Sequence, residues 1–167
     1  VRNDGVPVHM ELVTDEFGYW ATCYNILPGT YLIYEEMPEG WMPTSAPEIQ
    51  FAPPMEMEPM AYEFVFLNFE LGRICGYKYE DMNGNGILDD GDMPIQGWTI
   101  TLTGPMSRTT TTDVNGYYEF DGLIYGTYTV TEETRANWVP MTTTYYTVPI
   151  ASGSCVCLDP FLNVELS

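Results

Sequence analysis

The chain is written nearly twice. GTYLIYEEMPEGWMP (Gly29–Pro43) lies on GTYTVTEETRANWVP (Gly126–Pro140) at a constant offset, sharing Gly, Thr, Tyr, the paired Glu, Trp and Pro. TDEFGYW matches TDVNGYY one residue out of step, and FLNFEL (Phe66–Leu71) matches FLNVEL (Phe161–Leu166). A repeat constrains architecture more strongly than any local propensity, because each copy buries its apolar face in the same way. It divides the chain into copies at 1–71 and 72–167, each closing on a Phe-Leu-Asn strand. The first copy is the shorter, and nothing before Thr14 resembles GYKYEDMNGNGILDDGD. Either residues 1–13 supply a reduced front or the first copy lacks its opening strand. A missing strand exposes unpaired backbone and a strip of core, an edge that invites a strand from another chain.

The period within each copy is two. Tyr128, Val130 and Glu132 alternate with Thr129, Thr131 and Glu133, and Trp98, Ile100 and Leu102 alternate with Thr99, Thr101 and Thr103. Thr, Tyr and Val suit strands, and alternation is the strand signature. Asn115-Gly116 and Gly104-Pro105 mark turns. Seven strands are predicted in the second copy, near 74–80, 98–103, 107–112, 116–120, 127–133, 144–150 and 160–166. Seven short strands at this spacing predict an all-β chain of tandem sandwiches, the first truncated at its N-terminus.

The segment Asp81–Asp92, DMNGNGILDDGD, crowds carboxylates and carboxamides that would repel or solvate one another unless a cation sat among them. Counted from Asp81, Asn83 falls at position three, Asn85 at five, Gly86 at six, Ile87 (through its carbonyl) at seven, Asp89 at nine and Asp92 at twelve. That is the spacing of a calcium loop, with glycine at the sharp turn. Asp92 replaces the usual Glu at the last position, and Asp90 could substitute. The bland alternative is a solvated acidic turn. The helices of a helix–loop–helix hand are missing from the pattern, since MPIQGWTITLTG reads as turn then strand.

Charge narrows the partners. The chain carries 24 acids against five bases, a formal net charge of −19. Such a surface repels nucleic acid and anionic membrane and attracts divalent cations. No apolar run reaches the roughly 18 residues of a membrane helix. Four cysteines, Cys23, Cys75, Cys155 and Cys157, allow three pairings. Cys155 and Cys157 would share a strand face and bridge poorly to each other. An oxidising exterior is expected.

Taken together, GYKYEDMNGNGILDDGDMPIQGWTITLTG, then TTDVNGYYEFDGLIYGTYTVTEE, then Trp and Pro, then FLNVEL, resemble the B-type repeat of serine–aspartate-repeat surface proteins. They are similar, more broadly, to collagen-adhesin B-type, prealbumin-like domains. The resemblance covers 72–167 and the rear of 14–71. It implies a seven-stranded sandwich of extracellular stalks, adhesins, pili or envelope layers, with calcium in the front loop. It also gives meaning to Lys78, the only lysine. Lys78 should face away from Tyr77 and Tyr79, Glu132 should point inward, and Asn163 lies in the closing strand. Lysine, glutamate and asparagine at these places resemble the constellation that forms an intramolecular isopeptide bond. A Lys78–Glu132 salt bridge or an exposed edge lysine are the alternatives.

Enzymatic function is not expected. His9 is the only histidine and has no paired nucleophile, and Cys155-x-Cys157 with His9 is not a zinc spacing. PPMEMEPM (Pro53–Met60) reads as a Pro-rich connection. The expectation is a calcium-stabilised structural protein of the cell surface that self-associates as a stalk, filament, sheath or tube, with no small-molecule ligand. The alternative is an adhesin module for a host or matrix ligand or a carbohydrate. Trp20, Trp41 and Trp138 would serve the carbohydrate, but Trp41 and Trp138 occupy equivalent repeat positions, which suits packing.

Overall fold

The computed structural model describes residues 9–22, 28–54 and 61–166. The described residues are strands, turns and irregular segments, with no helix. They fall into two compact units, one of residues 1–37 with 43–67, the other of residues 38–42 with 68–167.

The larger unit contains β2 (Trp41–Pro43, all but its last residue), β4 (Asn68–Glu70), β5 (Gly72–Glu80), β6 (Met93–Pro94), β7 (Thr99–Thr103), β8 (Arg108–Thr111), β9 (Tyr117–Leu123), β10 (Gly126–Glu132), β11 (Trp138–Pro140), β12 (Tyr145–Ile150), β13 (Cys155–Cys157) and β14 (Phe161–Glu165). Two sheets face each other. One has the order β12-β10-β7-β8, and the other the order β11-β14-β5-β13, with β6 and β9 also on β5. All seven predicted strands are present, their ends moved by no more than three residues. β14 and β13 run parallel to β5, pairing Phe161 with Lys78 and Cys157 with Cys75.

The alternation read from the sequence sorts side chains between the layers. Ile100, Leu102, Tyr128, Val130, Val148 and Ile150 project from the first sheet, and Ile74, Tyr118, Phe120, Leu123 and Phe161 from the second, all buried. Fully burying such a side chain contributes roughly 1.5–3 kcal/mol relative to leaving it exposed. Gly76 is on the inner face of β5 because Tyr118 lies against it: a Cβ there would come within 2.3 Å of the tyrosine hydroxyl. Cys75 points outward from β5 and bonds Cys157 of β13. Cys155 is free and exposed. Cys23 lies outside the described residues.

The smaller unit holds β1 (Tyr31–Tyr34) and β3 (Glu48–Phe51), paired antiparallel. Its register, Tyr31↔Phe51 to Tyr34↔Glu48, is that of Tyr128↔Val148 to Thr131↔Tyr145 in the second copy. The Glu35 N–H donates to Pro47 as Glu132 N–H does to Thr144. The turn from Asp15 to Tyr19 repeats the turn from Asp113 to Tyr117 bond for bond, including side-chain acceptance by Asp15 and Asp113. Within the larger unit, Leu71 N–H reaches Gly40 O as Leu166 N–H reaches Asn137 O. Gly40 and Asn137 both have positive φ, 83° and 66°, a conformation that asparagine tolerates better than most residues. Burial separates the copies. Tyr128 and Val130 are fully buried, whereas Tyr31 and Ile33 are only partly so. Phe51 packs against Tyr62 and Phe64, with ring centroids 4.5 and 5.1 Å away.

Candidate functional site

Two clusters in the larger unit bear the residues singled out from the sequence. The first is in the core. Lys78 is on the inward face of β5, three strand positions from the start of the acidic loop, with no side-chain exposure. Glu132, at the end of β10 in the facing sheet, brings its Oε2 to 2.8 Å from Lys78 Nζ and has 1% side-chain exposure. Asn163 stands on β14, beside β5, and donates from Nδ2 to the same Glu132 oxygen at 3.3 Å. The alternation that turned Tyr77 outward thus turned Lys78 inward, and the parallel pairing of β14 with β5 delivered Asn163 to the same place. The exposed-lysine alternative is excluded.

Burial decides the electrostatics. Desolvation lowers the Lys78 pKa to about 8, against a hydrogen bond and charge interaction with Glu132 that act the other way. Desolvation likewise raises Glu132 above the usual carboxylate range, opposed by Lys78 and Asn163. Both shifts favour the uncharged amine and the protonated acid. Glu132 Oε1 and Asn163 Oδ1 are buried with no hydrogen-bond partner, an uncommon state for buried polar atoms. Trp98 forms one wall, its ring centroid 4.6 Å from Lys78 Nζ and 4.3 Å from the Arg135 guanidinium carbon. Trp138 packs edge-on against Trp98 at 5.3 Å. A pocket of about a water's size, lined by Glu132, Arg135, Trp138, Thr144 and Asn163 among others, opens beside the cluster. The sequence did not assign Trp98 or Arg135 to this site. Their signal was weak, since Trp98 reads as one more alternating core residue.

The second cluster is the loop after β5. Asp81 is fully buried, and its carboxylate accepts from the N–H groups of Gly84 (2.7 Å), Asn85 (3.2 Å) and Gly86 (2.7 Å). Gly84 and Gly86 have φ of 69° and 75°, which lets the loop fold back over that carboxylate. Asn83 and Asn85 both donate from Nδ2 to Asp89, at 3.0 and 2.7 Å to Oδ2. Asp92 closes the ring by accepting from Met82 N–H and Asp89 N–H, each at 3.0 Å. Ile87 donates its N–H to Asn85 Oδ1 and exposes its side chain. Asn83 and Asn85 therefore converge on Asp89, while the Asp81 carboxylate is held by main-chain N–H groups of the same loop.

The donor chemistry fits a hard cation. Asp81, Asp89, Asp90 and Asp92 all lie within this one loop, and none of them is in a salt bridge with lysine or arginine among the described residues. A carboxamide turned end for end offers oxygen where it now offers N–H. Among the described residues no group of three or more His, Cys, Asp or Glu is arranged to hold a metal. The loop's candidate donors are instead a mixture of carboxylate, carboxamide and main-chain oxygens. The Asp81 N–H donates to Asn163 O at 2.8 Å, so the loop and the buried cluster share a backbone link. His9 is exposed, 3.8 Å from Glu11, and takes part in neither.

Residues 72–149 match the family model of the SdrD B-like domain. Over 131 residues the chain is 33% identical to serine-aspartate repeat-containing protein F of Staphylococcus epidermidis, a stretch covering 67% of this chain and 8% of that protein. Over 160 residues it is 30% identical to serine-aspartate repeat-containing protein D of Staphylococcus aureus, covering 86% of this chain and 12% of that one. The chain thus spans about a tenth of the length of these curated relatives. Among solved structures it is similar to the Bacillus anthracis TIE protein, with a TM-score of 0.46 and 18% identity over 92% of this chain and 28% of that one.

Proposed function

Since residues 72–149 belong to the SdrD B-like domain family, we propose that the chain is a non-enzymatic structural module of the cell surface. It acts outside the cell as a stalk segment or as the repeating subunit of a surface filament, sheath or tube. The observation that carries this reading is the sealed core of the larger unit, with its chemistry turned inward. Lys78, Glu132 and Asn163 meet in a buried interior whose adjoining pocket is about a water's size, too small for a substrate of ordinary size. No helix among the described residues is long and apolar enough to cross a membrane.

In this reading the buried cluster braces the module covalently. The neutral Lys78 amine attacks the Asn163 side-chain carbonyl carbon. A C–N bond forms, the Asn163 amide nitrogen departs as ammonia, and protonated Glu132 moves the proton from amine to leaving group. Burial supplies the neutral amine and the protonated acid, and enforced contact supplies the rate. The water-sized pocket beside Glu132 and Asn163 gives ammonia a way out. Calcium held by Asp81, Asn83, Asn85, Asp89, Asp92 and the Ile87 carbonyl would neutralise the loop and stiffen the lead-in to the same strand.

Negative-stain electron microscopy of native material tests the reading. Rods or filaments on the cell surface that bind an antibody to this chain are expected. Antibody confined to the cell interior would overturn the assignment. The adhesin alternative would draw on exposed aromatics such as Trp41, which is 39% exposed, whereas Trp138 is packed against Trp98.

A further inference from the structure

The first copy gives its closing strand to the second. Residues 38–42 and 68–71 belong to the first copy by the repeat, yet they fold with the larger unit. There β2 pairs with β4, as β11 pairs with β14 at the end of the second copy. Phe69 is 8% exposed and sits in one core cluster with Ile74 and Ile150, and Met42 and Leu71 pack against that cluster. The turn Ala151–Ser154 grips the strand. Glu70 N–H donates to Ser152 Oγ at 2.9 Å, and Gly153 N–H donates to Glu70 O at 3.0 Å. Gly153, at φ 71°, lies so close that a Cβ there would come within 2.6 Å of the Glu70 carboxylate. The exit of the first copy is thus a plug, and the entry of the second is its socket.

The second copy ends in the same plug. Val139, Val164, Glu165 and Leu166 stand at the places of Met42, Phe69, Glu70 and Leu71. Leu166 N–H bonds Asn137 O toward β11, and N–H directions alternate along a strand, so Glu165 N–H points away from β11. Glu70 N–H likewise points away from β2, toward its turn. Burial is where the two plugs differ. Val139 and Leu166 are 38% and 56% exposed, whereas Met42 and Leu71 are partly buried. Val164 is half-buried where Phe69 is buried. Three apolar side chains, already set in strand register, repeat one half of a contact whose other half is visible earlier in the same chain.

We infer that Val139, Val164 and Leu166 form a docking face for the entry end of another module of this build, whose turn grips Glu165 as Ala151–Ser154 grips Glu70. The occupant is a whole module rather than a lone strand, because the socket around Phe69 draws on a packed core as well as a turn. The inference rests on the stalk reading and names its joint: each module lends its last strand to the core of the next, so neighbours are coupled through packing and not through a free linker.

Extension of the full chain tests it. A further copy of residues 72–167 is joined directly after Leu166, which reproduces the junction of Leu71 with Gly72. The control carries a flexible Gly-Ser linker at the join. Hydrogen exchange is followed by mass spectrometry on the peptide that crosses the join. Exchange is expected to be roughly tenfold slower in the direct fusion, the protection that burying one valine-sized side chain gives. Val164→Asp in the direct fusion, with circular dichroism unchanged, is expected to return exchange to the control's rate. Equal exchange in the two fusions would overturn the joint, as would a Val164→Asp fusion that stays protected. The stalk reading is judged separately by the antibody. Surface rods with equal exchange would remove only the joint, and a protected join in a chain confined to the cell interior would remove only the stalk.

Discussion

Lys78 shows how a single side chain reports its surroundings. Its pKa of about 8 means that between pH 8 and 10 the unfolded chain holds a proton that the folded chain has released. Raising the pH through that window therefore favours the folded state, and the window lies below the range where burial holds Tyr118, Tyr128 and Tyr146. In an Asn163→Ala variant, where Lys78 keeps a free amine, the melting temperature is expected to climb from pH 8 to pH 10. In the parent the amine is consumed, and the same calorimetric series is expected to stay flat. Intact-mass spectrometry should show the parent lighter than its sequence by one ammonia. A full-weight parent with the rising profile would leave a buried ion pair and nothing more. The inward turn of Lys78 and Glu132 was legible because alternation is strict in β5 and β10. The roles of Trp98 and Arg135 were not, because contacts across sheets leave no spacing in the sequence.

At the scale of elements, the loop after β5 and the strands around it divide the legible from the illegible. Spacing alone singled out Asp81, Asn83, Asn85 and Asp89, and the structure shows Asn83 and Asn85 donating to Asp89 while Asp81 accepts main-chain N–H groups at turns that glycine permits. Cation removal is expected to lower the melting temperature. At a free cation concentration of 100 times Kd, binding contributes about 2.7 kcal/mol. Asp89→Ala, which removes an exposed carboxylate and the hydrogen bonds it accepts from Asn83 and Asn85, is expected to melt at one temperature with or without chelator. A parent indifferent to chelation would remove the cation from the account. The short strands β6, β11 and β13 escaped the sequence reading, being two or three residues long and held by register with β5 or β14 rather than by any pattern of their own. The pairing of Cys75 with Cys157 escaped for the same reason, since it follows from the parallel course of β13 along β5.

For the whole molecule, duplication gave the most information. The family resemblance drawn from the motifs holds over 72–149, and the two copies share register, turn and terminal bonds down to a positive φ at Gly40 and Asn137. The division at 71/72 that we read from the repeat remains a proposal about where one module ends and the next begins. The cross-link between Cys75 and Cys157 spans 82 positions, and replacing both by serine is expected to cost about 2–5 kcal/mol in a chemical-denaturation measurement. A loss well below 1 kcal/mol would make the bond incidental.

The parallel course of β5 and β14 has a mechanical consequence. The larger unit's main run enters at Gly72 and leaves near Glu165 on neighbouring strands that point the same way. Tension on the two ends therefore slides these strands past each other, loading their hydrogen bonds together rather than peeling them one at a time. The sulfur bridge between β5 and β13 shortens the path further. Along the covalent chain force passes from Cys75 straight to Cys157, while the β5–β14 bonds at Lys78–Glu80 still resist the slide.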